Sequence, residues 1–337
     1  VTVPECVAGS YRPPGWIPGG HAQTIWPAFL ARPAIAFRRE RVDTPDGDFW
    51  DLDWLDPPAA SSAPRSTAPV PTVILFHGLE GSSDSHYARA LMALLRARGW
   101  RGVIPHFRGC GGEPNRLPRA YHSGDHEEIG AMLAAVHARL DDRRGAAPLY
   151  AVGVSLGGSA LLNWLGRAGA AASTMLAAAA AVSTPLDLTS AGHAIGRGFN
   201  RVYTWHFLWT LVPKSLALAQ RHPGLLDAAR VRRVRNLYDF DELVTAPLHG
   251  FAGTDDYWSR ASSKPWLARI RVPTLVLNAR NDPFVPAASL PGADDIAPDV
   301  RLEQPDGGGH VGFLTGPFPG NVGWLPQRLL QFFVAGR

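Results

Sequence analysis

The most regular feature of this chain is an alternation of short apolar runs with longer amphipathic ones. TVILFHG at 72–78 is apolar and β-branched throughout, as suits a strand buried on both faces. A helix is predicted over 84–98, capped by Ser83 or Asp84 and closed by Gly99. RGVIPHF at 101–107 reads as the next strand. Over 125–141, Ile129, Met132, Leu133, Val136 and Leu140 recur at helical spacing. PLYAVGV at 148–154 is a strand that runs directly into Ser155, and ALLNWLG at 160–166 is helical. LAAAAAVSTPLDL is ambiguous by period alone, but its place in the alternation predicts a strand from 176 to 184. PTLVLNA at 273–279 and VRLEQP at 300–305 are further strands, and GWLPQRLLQFFVAG is a closing amphipathic helix.

Strand–helix alternation of this kind implies a mostly parallel sheet covered by helices on both faces, an α/β domain. Two regions depart from it. The segment 34–55 predicts two strands joined at Pro45-Asp46-Gly47, a turn signal. Residues 186–268 carry RVYTWHFLWTLVP, several arginines and few strand signals, and are expected to form a helical cap inserted in the sheet sequence. Such a cap supplies an apolar wall over a cleft. Residues 1–33, rich in Pro and Gly without clear periodicity, are expected to wrap the surface. The segment 56–71 is a flexible connection of Pro, Ala and Ser. The whole chain, 1–337, is read as one domain.

Composition narrows the class. With 46% hydrophobic and 18% charged residues, the 337-residue chain supports a large core, and global disorder is not expected. The net charge is only +4 and the arginines are scattered. The densest group, Arg230, Arg232, Arg233 and Arg235, reads as a solvated helix face, so no nucleic-acid partner is expected. Two cysteines, Cys6 and Cys110, do not make a disulfide scaffold, and a reducing compartment is the default. The N-terminus lacks a basic region followed by an apolar core, so no signal peptide is expected. No apolar run reaches the roughly 18 residues of a membrane span. A soluble cytoplasmic protein without stable membrane insertion is the expectation.

The chemistry centres on Gly153-Val154-Ser155-Leu156-Gly157, a G-x-S-x-G pattern between a predicted strand and a predicted helix. A sharp strand-to-helix turn projects the serine hydroxyl from the carboxyl edge of the sheet, and small neighbours let the chain fold back closely. A serine hydroxyl needs a base to become a nucleophile. In this arrangement the order along the chain is serine, acid, histidine. Asp282 in NARNDPFVP and His310 in PDGGGHVGF each follow a predicted strand, at the same sheet edge as Ser155. The backbone amides of Leu156 and of Leu79, in FHGLEGSS at 76–83, are the candidate oxyanion donors. His122 and His126 have i, i+4 spacing, but HSGDH lacks the glutamate of a zinc motif, and no metal is expected. His77 and His106 read as structural hydrogen-bonders and Cys110 as a packing residue. GCGGEP lacks the Lys-Ser/Thr ending of a phosphate loop, and no cofactor is expected.

These residues sit inside longer stretches that resemble a known family. HAQTIWP at 21–27, FHGLEGSSDSHY at 76–87, FRGCGGEPNRLPRAYHSGD at 107–125, GVSLGGSALLNWLG at 153–166, VTAPLHGFAGTDDYW at 244–258 and GGGHVGF together resemble the YheT-like branch of the α/β hydrolases. That branch includes the EMB-type plant proteins and the mammalian abhydrolase-domain lipases. The resemblance implies the α/β-hydrolase fold, with the family's serine, aspartate and histidine at Ser155, Asp282 and His310. It also implies ester hydrolysis on acyl chains. The expectation is a serine carboxylesterase for short- to medium-chain acyl esters, acting on a small-molecule substrate through an acyl-enzyme. The alternatives are transfer of the acyl group to an alcohol, a phospholipase or lipase-like activity, and a non-catalytic scaffold of the same fold that binds a ligand.

Overall fold

The computed structural model describes residues 11–57, 69–140 and 147–335. Cys6 and most of the connection at 56–71 lie outside the described residues. Among the described residues, the strands are β1 Arg38–Asp43, β2 Phe49–Leu55, β3 Thr72–Phe76, β4 Arg101–Pro105, β5 Leu149–Val154, β6 Ala178–Val182, β7 Thr274–Leu277 and β8 Val300–Glu303. They form one sheet in the order β1-β2-β4-β3-β5-β6-β7-β8. β2 runs antiparallel to both neighbours, and every pairing from β4 to β8 is parallel. The two strands predicted before residue 56 are therefore an antiparallel hairpin on an otherwise parallel sheet.

Strict alternation along the central strands separates two cores. Ile74 and Phe76 of β3, Ala151 of β5 and Ala179 and Ala181 of β6 face one apolar cluster. Helices α3 His126–His137 and α4 Leu156–Ala168 cover it, with Leu133 and Leu161 fully buried. Val73, Leu75, Val152 and Ala180 face the other cluster, which α2 His86–Ala97 and α11 Trp324–Ala335 cover through Leu91 and Leu329. Two buried faces explain why these strands read as continuous apolar runs. Alanine has no intrinsic preference for strands. β6 is one because its edges pair in register with β5 (Tyr150↔Ala178 through Val154↔Val182) and with β7.

One boundary differs from the sequence expectation. α2 starts at His86 with Ser85 at its N-cap, not Ser83 or Asp84. The Ser83 hydroxyl is drawn instead into a buried bond to Asp53 Oδ2, at 2.6 Å, and Asp84 pairs with Arg89. A tertiary acceptor has outcompeted the local cap.

The chain between β6 and β7 is helical: α5 Leu188–Ile195, α6 Arg201–Arg221, α7 Ala228–Val231, α8 Leu237–Phe240, α9 Ala246–His249 and α10 Thr254–Ala261. It has an apolar cluster of its own around Leu208, Leu211, Val231, Phe240 and Val244. Arg230, Arg232, Arg233 and Arg235 are exposed there. The segment before β1 holds a short helix, Gly19–Ile25, called α1 below. Among the described residues, no helix is long and apolar enough to cross a membrane.

Candidate active site

β5 ends in a forced bend. Ser155 has φ 54° and ψ −120°, in the positive-φ region that side chains rarely adopt, and α4 begins at the next residue. Backbone held this way costs about 1–3 kcal/mol and persists only where its surroundings over-determine it. Here they do. β5 is locked between β3 and β6, and α4 comes so close to β3 that a Cβ on Gly157 would lie 2.5 Å from the main-chain oxygens of Phe76 and His77. The strand cannot continue, and the helix can start only if residue 157 has no side chain.

The loops after β7 and β8 bring the other two residues to the same edge. His310 Nε2 is 3.0 Å from Ser155 Oγ, and His310 Nδ1 is 2.8 Å from Asp282 Oδ2. The Asp282 carboxylate is buried. Its second oxygen accepts the amide of Phe284 at 2.8 Å, which fixes its plane. The Phe284 ring lies against the imidazole, with centroids 4.2 Å apart. With Nδ1 facing a carboxylate, Nε2 is left to accept a proton from the hydroxyl.

What holds the histidine loop was not anticipated from the sequence. The segment expected only to wrap the surface inserts α1 between the two loops. Thr24 Oγ1 accepts the amide of His310 at 2.8 Å and donates to Gly20 O. Gln23, buried, takes Gly308 N and Asn281 Nδ2 on its side-chain oxygen and donates to Ile17 O. Asn281 Oδ1 in turn accepts Gly309 N. Acid loop and base loop thus share one polar clamp. Gln23 and Thr24 lie in HAQTIWP, a stretch that marked the family resemblance but carried no local signal of this clamp. Thr24→Val is expected to lower kcat about tenfold with little change in KM, because His310 loses its main-chain anchor while the substrate walls stay in place. Steady-state kinetics on one ester checks this, and an unchanged kcat removes the clamp from the account.

The loop after β3 supplies the candidate oxyanion donors. A Cβ on Gly78 would lie 3.2 Å from that of Ser155, so this loop sits against the hydroxyl. Gly78 N donates to Tyr87 OH at 2.9 Å and Glu80 N to Tyr121 OH at 2.8 Å. Leu79 N, between them, has no protein acceptor among the described residues. The same holds for Leu156 N, at the amino end of α4, where the first amides lack helical partners. Glu80, at φ 55°, is held by Tyr121 OH (3.0 Å) and by Lys214 Nζ of α6 (2.7 Å). Beneath the loop His77 donates from Nδ1 to Gly78 O and accepts Phe107 N on Nε2, which defines a neutral tautomer. Burial pushes its pKa down to about 3, so it is a fixed strut at neutral pH.

A cavity of about 320 Å³ opens over Ser155 and His310. Its walls are mostly apolar, among them Leu79, Leu188, Ile195, Phe207, Leu211 and Phe284, drawn from the sheet loops and the helical insertion. Asp241, also on its wall, takes bonds from Thr245 Oγ1 and Trp258 Nε1, and burial raises its carboxyl to about 6.

The remaining candidates fall elsewhere. His106 bonds Asp53 and Cys110 O, as a structural histidine would. Burial pushes the Cys110 thiol up to about 12, which leaves no thiolate at neutral pH. His122 precedes α3 rather than lying on it, so the i, i+4 spacing with His126 does not place both on one helical face. Its ring packs on His249, with centroids 4.5 Å apart. No group of three or more potential metal ligands occurs among the described residues.

A mostly parallel eight-stranded sheet, with a serine on the bend after its fifth strand, defines the class. The chain belongs to the α/β hydrolase family, whose model, described as the alpha/beta hydrolase fold, matches residues 71–317. It is 38% identical to YheT of Escherichia coli (strain K12) over 313 residues, spanning 92% of this chain and 88% of that one. It is 31% identical to Phospholipase ABHD3 of Homo sapiens over 333 residues, 98% of this chain and 80% of the relative. The solved esterase Pf2001 of Pyrococcus furiosus shares the fold, with a TM-score of 0.54 at 15% identity over 91% of this chain and 98% of that one.

Proposed function

We propose that this protein is a serine carboxylesterase that cleaves short- to medium-chain acyl esters through an acyl-enzyme. The observation that carries the reading is the hydrogen-bonded series Ser155 Oγ–His310 Nε2–Asp282 at the floor of an apolar cavity. In the first half-reaction, Ser155 Oγ attacks the ester carbonyl carbon while His310 Nε2 takes its proton. Asp282 holds the imidazole tautomer and stabilises the imidazolium. The carbonyl oxygen gains negative charge and is met by the amides of Leu79 and Leu156; loss of one such donor typically costs about 3 kcal/mol. The tetrahedral adduct collapses as His310 returns its proton to the leaving alcohol. Water, deprotonated by His310, then attacks the acyl-serine, and His310 returns that proton to Ser155 Oγ as the acyl–oxygen bond breaks and the acid leaves. The helical insertion acts as a cap whose apolar side chains receive the acyl group. The named activity of the phospholipase relative is compatible with an acyl ester substrate of this kind.

The cavity volume sits at the small end of ligand sites. Over p-nitrophenyl esters of increasing acyl length, kcat/KM is expected to rise by up to about fourfold per methylene, at about 0.8 kcal/mol each. It should then fall once the chain outgrows the cavity. A flat profile overturns the short- to medium-chain preference, and no turnover with no labelling of Ser155 by a fluorophosphonate overturns the reading in favour of a ligand-binding scaffold. The apolar walls favour a second outcome, acyl transfer to an alcohol, because exclusion of water leaves the acyl-serine to another acceptor. The ratio of ethyl ester to free acid formed in the presence of ethanol separates the two.

A further inference from the structure

The surface beside the cavity carries more exposed aromatic area than a free surface needs. Phe199, just before α6, and Val202, Trp205 and Trp209 on it are 55%, 51%, 65% and 69% exposed. Their spacing sets them along one face of the helix, while Leu208 and Leu211 turn the opposite way into the insertion's core. The Trp205 and Trp209 rings lie together, centroids 5.5 Å apart. α1 extends this face. His21 packs on Phe199 at 4.7 Å and meets Tyr203 OH at 3.1 Å. Trp26, directly after α1, and Trp16 hold the exposed Phe318 between them, at 5.7 and 5.5 Å. Phe29 follows, 76% exposed. Exposed apolar surface of this kind marks an interaction site, and tryptophan, an apolar ring with a polar edge, is the residue type enriched where water meets lipid.

The segments that supply this face carry charge of one sign. Residues 11–39, 188–226 and 307–335, which supply every one of these side chains, contain no aspartate or glutamate. They do contain Arg12, Arg32, Arg197 and Arg201, all exposed and without an ion pair among the described residues. An aromatic face whose own segments carry unpaired cations and no carboxylate is complementary to an anionic lipid surface. A second copy of this chain would bring the same cations without a carboxylate to meet them.

We propose that α6 and α1 form a face that docks on an anionic lipid surface, with Trp205 and Trp209 seated among the headgroups. The protein lies on the lipid without spanning it. The face also leads inward: Phe199 touches Tyr203 at 6.2 Å, Tyr203 touches Phe284 at 4.6 Å, and Phe284 covers His310. The docking face is thus joined to the cavity wall through packed rings, and Phe207 and Leu211 of the same helix line the cavity, so docking would hold the cavity beside an acyl ester dissolved in the lipid. This consequence, unlike the docking itself, rests on the esterase reading.

The test uses the full chain and vesicles of phosphatidylcholine with or without phosphatidylglycerol. Co-sedimentation with the Ser155→Ala protein is expected to show binding to the anionic vesicles, weakened at high salt as counter-ions screen the arginines. Trp205→Glu/Trp209→Glu should lower the partition coefficient by at least about tenfold. Arg197→Gln/Arg201→Gln should remove most of the preference for phosphatidylglycerol. On a wild-type active-site background, the tryptophan pair should leave hydrolysis of a water-soluble butyrate ester unchanged and slow that of a medium-chain ester presented in vesicles. Both tryptophans are exposed, so circular dichroism is expected to match wild type. The proposal is overturned if wild type and the Trp205/Trp209 variant sediment equally. It is also overturned if the face mediates a concentration-dependent dimer or captures an acidic protein while binding no vesicle. Vesicle binding without hydrolysis of either ester leaves the docking face standing and sinks the esterase reading instead.

Discussion

Ser155→Ala is expected to lower kcat by about 10⁶-fold, the scale seen when a nucleophile is removed from residues that work as a unit. The substitution removes one oxygen, and with it the bond to His310 Nε2. It leaves the bend intact, because the positive φ at this position is imposed by β5 and α4 rather than by the hydroxyl. The unfolding free energy should therefore change by no more than about 1 kcal/mol, the worth of one partly exposed hydrogen bond. Two further measurements sharpen the expectation. A fluorophosphonate should label wild type at Ser155 and fail on the variant. The double variant Ser155→Ala/His310→Ala should be no slower than either single variant, since a base without a nucleophile has nothing to deprotonate. Turnover in Ser155→Ala within an order of magnitude of wild type would remove this residue from the chemistry altogether. Additive losses would show that His310 acts somewhere other than on Ser155.

The parts of this site legible in the sequence are those whose signal is local. Ser155 lies at the junction of an apolar run with a helical one. Asp282 and His310 each follow a predicted strand, and chain order together with strand position assigns them to one sheet edge. The fold was legible on the same grounds, because β3, β5 and β7 are each buried on both faces and so read as unbroken apolar segments. What was illegible is polar and long-range. The clamp from Thr24 to His310 joins residues 286 positions apart, and α1 is too short to show a period. Ser83 had every local feature of a helix cap and was claimed by Asp53, 30 positions away. No periodicity marks such pairings, since each depends on which loops the sheet brings together.

The same is true of Arg108, a plain loop arginine in the sequence and a buried one in the fold. Its guanidinium donates from Nε and Nη2 to the two oxygens of Glu128, at 2.8 and 3.1 Å, and from Nη1 to Asp48 Oδ2 at 2.9 Å. Asp46 lies 3.0 Å from Nη2. Arg108, Asp48 and Glu128 are all at most 3% exposed. Arg108→Met keeps the length and apolar stem but leaves the buried Asp48 without its cation and Glu128 with only Arg119, 3.6 Å away, which is expected to cost about 3–5 kcal/mol at pH 7. The loss should depend on pH in a defined sense. In wild type, burial alone would raise the Asp48 carboxyl. Bonds from Arg116 N and Asn115, together with the Arg108 charge, outweigh that and hold it below its usual value. Its stabilising contribution is therefore present above the unfolded carboxylate range, near pH 4, and is lost as pH falls through the lower folded value. Without Arg108 the Asp48 carboxyl loses one of the contributions that hold it down, so its folded value moves up and less of its stabilising contribution survives at high pH. The gap between wild type and variant in urea unfolding should then be widest at pH 7 and narrow as pH falls through the carboxylate range near pH 4. Adding Glu128→Gln to Arg108→Met should recover part of the loss by removing one buried charge that Arg119 alone compensates. Arg108→Lys, which keeps the charge without the planar fork, should fall between wild type and Met. A gap under 1 kcal/mol at neutral pH, or one that widens on acidification, would mean that water rather than Arg108 compensates these carboxylates. The loop after β4 would then be held by its apolar contacts alone.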